Sequence, residues 1–240
     1  MQKQTERTKN FKFKKFSIYG GLSGMPVSTD GVLLGAWFHC PQEKSHVLDI
    51  GTGTGLLSLM CAQRFPASMI TAIEIDAGAV KAANINFEAS HWSDRIELLH
   101  QNILEFSPGK KFDCIVCNPP YFLSGEQSQN QQRATARHAD SLDHQKLLTK
   151  CLELLTVTGN ASFILPVTEG EQFIEVAKKQ GWYLTSLCAV KSTETKETNR
   201  MLIELSPTKR PLSETEITIR NSEGYTDSFV ELTKSFYLKM

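Results

Sequence analysis

Four consecutive residues, Asn118, Pro119, Pro120 and Tyr121, follow the largely apolar segment 111–117 and have the types needed to bind a planar amino group. Proline fixes φ near −65° and has no N–H, so two prolines leave backbone carbonyl oxygens in a rigid arrangement. The side-chain oxygen of Asn118 and the carbonyl of Pro119 can accept hydrogen bonds from both N–H groups of an amine, which favours the pyramidal geometry that nucleophilic attack develops. Tyr121 can stack on the ring that carries this group. The turn therefore predicts transfer of a group to a planar amine, a reaction that depends on positioning and needs no metal.

A second candidate site is the glycine-rich turn that carries Gly51, Gly53 and Gly55 behind the apolar segment 46–50. Glycine allows a sharp bend and a close approach of the backbone to a ligand. The spacing is G-x-G-x-G rather than the G-x-G-x-x-G of dinucleotide sites. Asp49, just ahead of the glycines, would repel a pyrophosphate and attract a ligand that carries an amino group or a cation. These features favour S-adenosylmethionine over NAD.

Polar residues after the next two predicted strands complete this candidate cofactor site. Glu74 ends a strand 23 residues after Gly51, where a carboxylate can accept both hydroxyls of a ribose. Asp76 follows it and can help to solvate the same region. Asn102 and Ile103 follow the third strand, where an amide can bond the adenine amino group and an aliphatic side chain can cover the ring; a plain turn is the alternative interpretation.

The elements that must position these residues alternate between strands and helices. Apolar runs predict strands at 46–51, 69–75, 96–100, 111–117 and 161–166, and amphipathic stretches predict helices near Asp30 and at 54–65, 77–90, 143–156, 169–180 and the C-terminus. This alternation is typical of a doubly wound parallel α/β sheet. Two further extended runs, 182–191 and 201–206, predict an antiparallel hairpin that closes the sheet edge. The expected fold is a Rossmann-like sheet of seven strands within a single domain, 1–240.

The N-terminal segment 1–40 is expected to be an extension that contributes to both sites. Residues 1–20 carry six basic side chains and one acidic one, a charge of +5, in a chain with 26 basic and 26 acidic residues. Lys12, Lys14 and Lys15 interleave with phenylalanines, which fits either an edge strand kept soluble by lysine or a surface that contacts RNA phosphates. Arg137 and His138, at the end of a long glutamine-rich segment, are candidates for RNA contact or pocket closure, or form an ordinary surface pair.

The remaining composition excludes several classes of protein. The balanced charge excludes binding of polyanions through bulk charge alone. Six irregularly spaced cysteines and a polar N-terminus fit a cytoplasmic protein, and the apolar runs are too short for a membrane span. Cys114 and Cys117 form C-x-x-C, but they point to opposite faces of one strand and have no second pair, so no metal site is expected.

The quoted motifs resemble those of the class I S-adenosylmethionine-dependent methyltransferases, in the branch that methylates amino groups and carries Asn-Pro-Pro-Tyr. The resemblance implies that the glycine-rich turn, with Asp49 and Glu74, binds the cofactor and that Asn118 to Tyr121 are catalytic. One departure is Asn102, where the family often has Asp. Several branches share the motif: N6-adenine methyltransferases acting on DNA or RNA, N2-guanine methyltransferases acting on ribosomal RNA, and glutamine methyltransferases acting on release factors.

The flanking segments FKFKKFSIYG, STDGVLLGAWF, ATARH and SFYLKM resemble one bacterial family in particular, which methylates N6 of adenine 37 in a valine tRNA. This resemblance implies a tRNA partner, and a monomer is expected. A glutamine-N5 protein methyltransferase, an N2-guanine ribosomal RNA methyltransferase and a non-catalytic RNA-binding module remain the alternatives.

Overall fold

A large mixed sheet and the helices on its two faces contain most of the residues that the structure, a computed structural model, describes: 8–22, 26–120 and 143–239. The strands are β1 (Phe11–Lys12), β2 (Ser17–Ile18), β3 (His46–Ile50), β4 (Met69–Glu74), β5 (Ile96–His100), β6 (Phe112–Cys117), β7 (Leu155–Pro166), β8 (Tyr183–Thr193), β9 (Thr198–Ser206) and β10 (Ser213–Arg220). The helices are α1 (Thr29–Trp37), α2 (Leu56–Arg64), α3 (Ala77–Glu88), α4 (His144–Leu154), α5 (Val167–Lys179) and α6 (Asp227–Thr233).

The large sheet has eight strands in the order β10-β8-β9-β7-β6-β3-β4-β5. All neighbours pair in parallel except β9, which is antiparallel to both β7 and β8. The doubly wound, mostly parallel α/β fold with a C-terminal antiparallel hairpin is therefore confirmed. β1 and β2 form a separate antiparallel hairpin.

The prediction of seven strands was wrong by one, because β10 adds an eighth strand at the sheet edge. Its sequence, SETEITIR, is mostly exposed and polar, and only Ile217 is buried, so it has no apolar run to mark it as a strand. Its parallel pairing with β8 uses backbone hydrogen bonds, which do not depend on side-chain type. The hairpin β8–β9 therefore lies inside the sheet and does not close its edge.

Apolar side chains cover both faces of the sheet. Helices α4 and α5 bury Leu147 and Phe173 against one face, and α1 and α2 bury Leu34 and Leu57 against the other. The two cysteines of the C-x-x-C sequence are buried on opposite faces, as predicted, because they stand three positions apart on a strand whose side chains alternate. Within the described residues no helix has the length and apolar character to cross a membrane, and no group of three or more His, Cys, Asp or Glu side chains is placed to hold a metal ion.

Helix α1 begins at the predicted position, and Ser28 caps it. The Ser28 hydroxyl oxygen accepts a hydrogen bond from the Gly31 N–H at 3.1 Å, a typical N-cap bond. The Asp30 carboxylate instead accepts a bond from the Arg200 guanidinium at 2.8 Å. Arg200 lies near the start of β9, opposite Pro166 at the end of β7. This ion pair joins α1 to the edge of the sheet where β7 ends.

Candidate active site at the carboxyl edge of the sheet

The strand register brings the predicted site residues to one edge of the sheet. Ile50 of β3 lies opposite Ile73 of β4 and Cys117 of β6. The residues that follow these three positions, Gly51, Glu74 and Asn118, therefore lie at the same carboxyl edge on neighbouring strands. In open parallel sheets the crevice outside this edge is where ligands bind.

The glycine-rich loop has a backbone that only glycine adopts readily. Gly51, Gly53 and Gly55 have φ values of +68°, +58° and +85°. A Cβ added at Gly51 or Gly53 would meet no atom within 4 Å, whereas one at Gly55 would lie 2.4 Å from Cε1 of Phe87. The loop therefore packs on α3 at Gly55 and has an open side at Gly51 and Gly53. That open side is the space in which a ligand can approach the backbone closely.

Asp49 lies beneath this loop with 0% of its surface exposed. Its Oδ2 accepts hydrogen bonds from the Thr52 hydroxyl at 2.6 Å, the Ser58 hydroxyl at 2.6 Å and the Ser58 N–H at 3.0 Å. Its Oδ1 is buried and has no hydrogen-bond partner among the described residues. Burial raises the pKa of Asp49 to about 6, and the hydrogen bonds from Ser58 and Thr52 oppose that shift. One carboxylate oxygen thus fastens the loop to α2, and the other is available to a bound cation or amino group.

Glu74 also holds the loop. Its Oε2 accepts from the Gly53 N–H at 2.8 Å, and its Oε1 accepts from the N–H groups of Ile75 at 2.8 Å and Asp76 at 2.9 Å. A carboxylate offers about four lone-pair sites, so three of them are in use. Accepting both hydroxyls of a ribose, the predicted role of Glu74, would require it to release one of these bonds.

Asp76 and Asn102 act as helix caps. Oδ1 of Asp76 accepts from the Ala79 N–H at 2.7 Å at the start of α3. Oδ1 of Asn102 accepts from the Leu104 N–H at 3.0 Å at the start of a short 3-10 helix. Ile103 is 6% exposed and packs in the core. Asn102 would have to bond an adenine amino group through an oxygen that already accepts one bond, and Ile103 has little surface left to cover a ring.

The turn after β6 has the predicted position beside the glycine-rich loop. Asn118 is half-buried, Pro119 is buried and Pro120 is exposed. Asn118 directly follows Cys117, whose partner across the sheet is Ile50. The predicted roles of Tyr121, Arg137 and His138 lie outside the described residues.

The predicted phosphate-contacting lysines lie away from this edge. Lys14 donates from Nζ to the backbone carbonyl of Lys234 at 2.6 Å, and Gln63, in the last turn of α2, donates to the same C-terminal segment. Helix α2 starts at the glycine-rich loop and has nine residues, so its far end lies roughly 13 Å from the loop. Lys14 thus has a structural bond, whereas Lys12 and Lys15 are exposed beside it.

Asn86 of α3 was not singled out from the sequence, although it contacts the loop directly. It is 3% exposed, and its side chain bonds the backbone of both Thr54 and Tyr19. The signal was available in the pattern of α3, where the buried face is otherwise apolar: Ala79, Ala82, Ala83 and Phe87. A polar residue on such a face must find partners inside the protein.

Comparisons with known proteins identify a family that the chain matches over its length. The family model of the methyltransferase small domain matches residues 32–159. The chain is 58% identical over 241 residues to a protein of Vibrio campbellii named tRNA1(Val) (adenine(37)-N6)-methyltransferase, with 100% of each chain covered. It is 57% identical to the protein of the same name from Vibrio parahaemolyticus, with 98% of each covered.

Two solved structures show the same fold at low sequence identity. A protein of Agrobacterium tumefaciens described as a predicted O-methyltransferase has a TM-score of 0.68 at 15% identity, with 86% of this chain and 96% of that chain covered. The glycopeptide N-methyltransferase MtfA in complex with S-adenosylmethionine has a TM-score of 0.56 at 16% identity, with 75% and 99% covered.

Proposed function

The chain belongs to the family of tRNA1(Val) (adenine(37)-N6)-methyltransferases, and from that premise we propose that it transfers a methyl group from S-adenosylmethionine to N6 of adenine 37 in this tRNA. The observation that carries the proposal is the register Ile50–Cys117, which sets Asn118 beside the glycine-rich loop. An amino-group acceptor and a cofactor loop on adjacent strands are the two parts that this reaction needs.

The residues at the carboxyl edge fit S-adenosylmethionine. The open side of the loop at Gly51 and Gly53 is a cradle that a Cβ would fill. The buried Oδ1 of Asp49 supplies a carboxylate oxygen for an amino group. Glu74, 9% exposed at the end of β4, supplies a carboxylate for ribose hydroxyls, and Asn102 follows the next strand. When bound, the cofactor supplies a methyl group on a positively charged sulfur.

The chain's own contribution to the reaction is to bind and orient the adenine. The side-chain oxygen of Asn118 and the carbonyl of Pro119 accept hydrogen bonds from the two N6–H groups, so the nitrogen lone pair is released from the ring and directed at the methyl carbon. Tyr121 stacks on the adenine and fixes its angle. Pro119 and Pro120 restrict the backbone, so the acceptors need no rearrangement during transfer.

Adenine 37 is a suitable target for such a site because it lies in the single-stranded anticodon loop. Extruding an unpaired base costs less than flipping a base out of a duplex. We propose that residues 1–240 act as one domain and as a monomer in the cytoplasm, with 1–40 contributing to both sites. The contacts of Tyr19 with Asn86 beside the loop support that role for the N-terminal segment.

Methyl transfer to defined substrates tests the proposed function. The full-length protein is incubated with radiolabelled S-adenosylmethionine and either a tRNA1(Val) transcript, the same transcript with guanine at position 37, or a release factor. We expect label only in the first, and nucleoside mass spectrometry should identify it as N6-methyladenosine. Label in the guanine-37 transcript would contradict the assignment of the nucleotide, and label in the release factor would favour the glutamine alternative.

A further inference from the structure

The side chain of Asn86 uses both of its polar atoms to join two separate segments. Its Oδ1 accepts from the Tyr19 N–H at 2.7 Å. Its Nδ2 donates to the Tyr19 carbonyl at 3.0 Å and to the Thr54 carbonyl at 2.8 Å. Thr54 lies in the glycine-rich loop, and Tyr19 lies in the N-terminal segment directly after β2. The buried amide of Asn86 therefore bonds both the cofactor loop and the N-terminal segment.

The loop depends on side-chain contacts for its conformation, because three glycines leave its backbone with wide freedom. The Asp49 carboxylate holds Thr52, and the Glu74 carboxylate holds the Gly53 N–H. The ring of Phe87 packs against Gly55. The bond from Asn86 to Thr54 is the polar contact in this group that also reaches the N-terminal segment, and Phe87 shares a core cluster with Phe16 and Ile18 of that segment. Because Asn86 also bonds Tyr19, a change in the position of Tyr19 changes the hydrogen bond that holds Thr54.

The N-terminal segment 8–22 is a loop of backbone that closes on itself and rests on α3. The Thr8 N–H donates to the Gly21 carbonyl at 2.9 Å, and the Gly20 N–H donates to Oδ1 of Asn10 at 3.1 Å. A Cβ added at Gly78, in the first turn of α3, would lie 3.3 Å from the Leu22 carbonyl oxygen. The two bonds between Asn86 and Tyr19 help to fix where this segment lies on the helix, together with the burial of Phe16 and Ile18 in the core.

We propose that Asn86 is a positioning residue that couples docking of the N-terminal segment to the conformation of the glycine-rich loop, so that cofactor binding and docking of residues 8–22 strengthen each other. The inference rests on the proposed function, since it assumes that the loop binds S-adenosylmethionine. Coupling of this kind is reciprocal: a ligand that fixes the loop must also hold the segment more firmly.

Cofactor binding and hydrogen exchange, measured on the full-length protein, test the coupling. The probe is S-adenosylhomocysteine, the product form of the cofactor, and its dissociation constant is measured by calorimetry for the wild type and for Asn86→Ala. Loss of the Thr54 bond should raise the dissociation constant by about tenfold.

The second readout is hydrogen exchange of peptides from residues 8–22. In the wild type, S-adenosylhomocysteine should slow exchange in these peptides, and in Asn86→Ala this protection should disappear. Asn84→Ala is the matched control, because Asn84 is exposed on the same helix and its side chain bonds Glu88, at 2.7 Å, on that helix. If Asn86→Ala does not fold, Asn86→Ser leaves an uncharged hydroxyl that is too short to bond both Thr54 and Tyr19. It should show the same rise in the dissociation constant.

The outcomes separate this inference from the proposed function. A wild type that does not bind S-adenosylhomocysteine contradicts the proposed function. A wild type that binds it, beside an Asn86 variant that binds equally well, contradicts the coupling alone. Weaker binding with unchanged protection of residues 8–22 also contradicts it, because Asn86 would then act on the loop without the N-terminal segment.

Discussion

Alanine substitutions at Gly55 and at Gly53 should have different effects, because Gly55 lies on the packed side of the glycine-rich loop and Gly53 on its open side. Gly55 has φ +85°, and an added Cβ would lie 2.4 Å from the ring of Phe87, which is only 4% exposed and packs in the core. The left-handed backbone costs a non-glycine residue about 1–2 kcal/mol, and overpacking of a filled core costs about 1–3 kcal/mol. The free energy of unfolding of Gly55→Ala should therefore fall by about 2–5 kcal/mol.

Gly53→Ala carries the backbone cost alone, since its φ is +58° and no atom lies within 4 Å of the added Cβ. Its free energy of unfolding should fall by about 1–2 kcal/mol, but its Cβ would enter the space proposed for the cofactor. Urea denaturation gives the two stabilities, and calorimetry with S-adenosylhomocysteine gives the affinities. If Gly55→Ala is no less stable than Gly53→Ala, the packing against Phe87 is refuted. If Gly53→Ala binds like the wild type, the open side of the loop is not the cofactor site.

Three further predictions concern charged groups. Burial raises the pKa of Asp49 from 3.8 to about 6, so its ionisation costs stability as the pH rises through that range. Asp49→Asn should therefore keep the wild-type free energy of unfolding near pH 8 but lose affinity for S-adenosylhomocysteine. A large loss of stability would contradict this prediction. The hydrogen bond from His39 to the Glu204 carboxylate, 2.9 Å long, raises the pKa of His39 above 6.5. The stabilisation from this bond is complete below pH 6.5 and is lost as the pH rises through the raised pKa. His39→Gln should therefore lower the melting temperature more near pH 6 than near pH 9, and an equal effect at both pH values would be inconsistent with this role of the bond. Replacing Lys12 and Lys15 by Gln while retaining Lys14 should weaken tRNA binding and reduce the slope of log K against log salt by about 2, whereas an unchanged slope would assign the segment a structural role only.

The sequence predicts the strands next to the site well because their apolar runs indicate burial and the glycines after them indicate a tight turn. β3, β4 and β6 are buried strands, and the glycines after β3 and the two prolines after β6 mark where those strands end. β10 could not be predicted in this way, since its pairing depends on a free backbone edge and not on its polar side chains.

The hydrogen-bond partners of individual polar side chains also could not be predicted from the sequence. Asp76 and Asn102 were predicted from their positions after strands, but those same positions start helices, where their oxygens cap backbone N–H groups. Lys14 was grouped with its neighbours by charge, and only the fold shows that the C-terminal segment accepts its hydrogen bond. Asn86 bonds Tyr19 across 67 residues of sequence, and no local pattern encodes that separation.

The role of Asn118 as acceptor for the amino group can be measured with one variant and two readouts. In Asn118→Ala, methyl transfer to the tRNA1(Val) transcript should be abolished, while the dissociation constant of S-adenosylhomocysteine stays within a few-fold of the wild type. Turnover that matches the wild type, with the cofactor bound equally well, would show that the turn after β6 does not hold the adenine and would contradict the proposed mechanism.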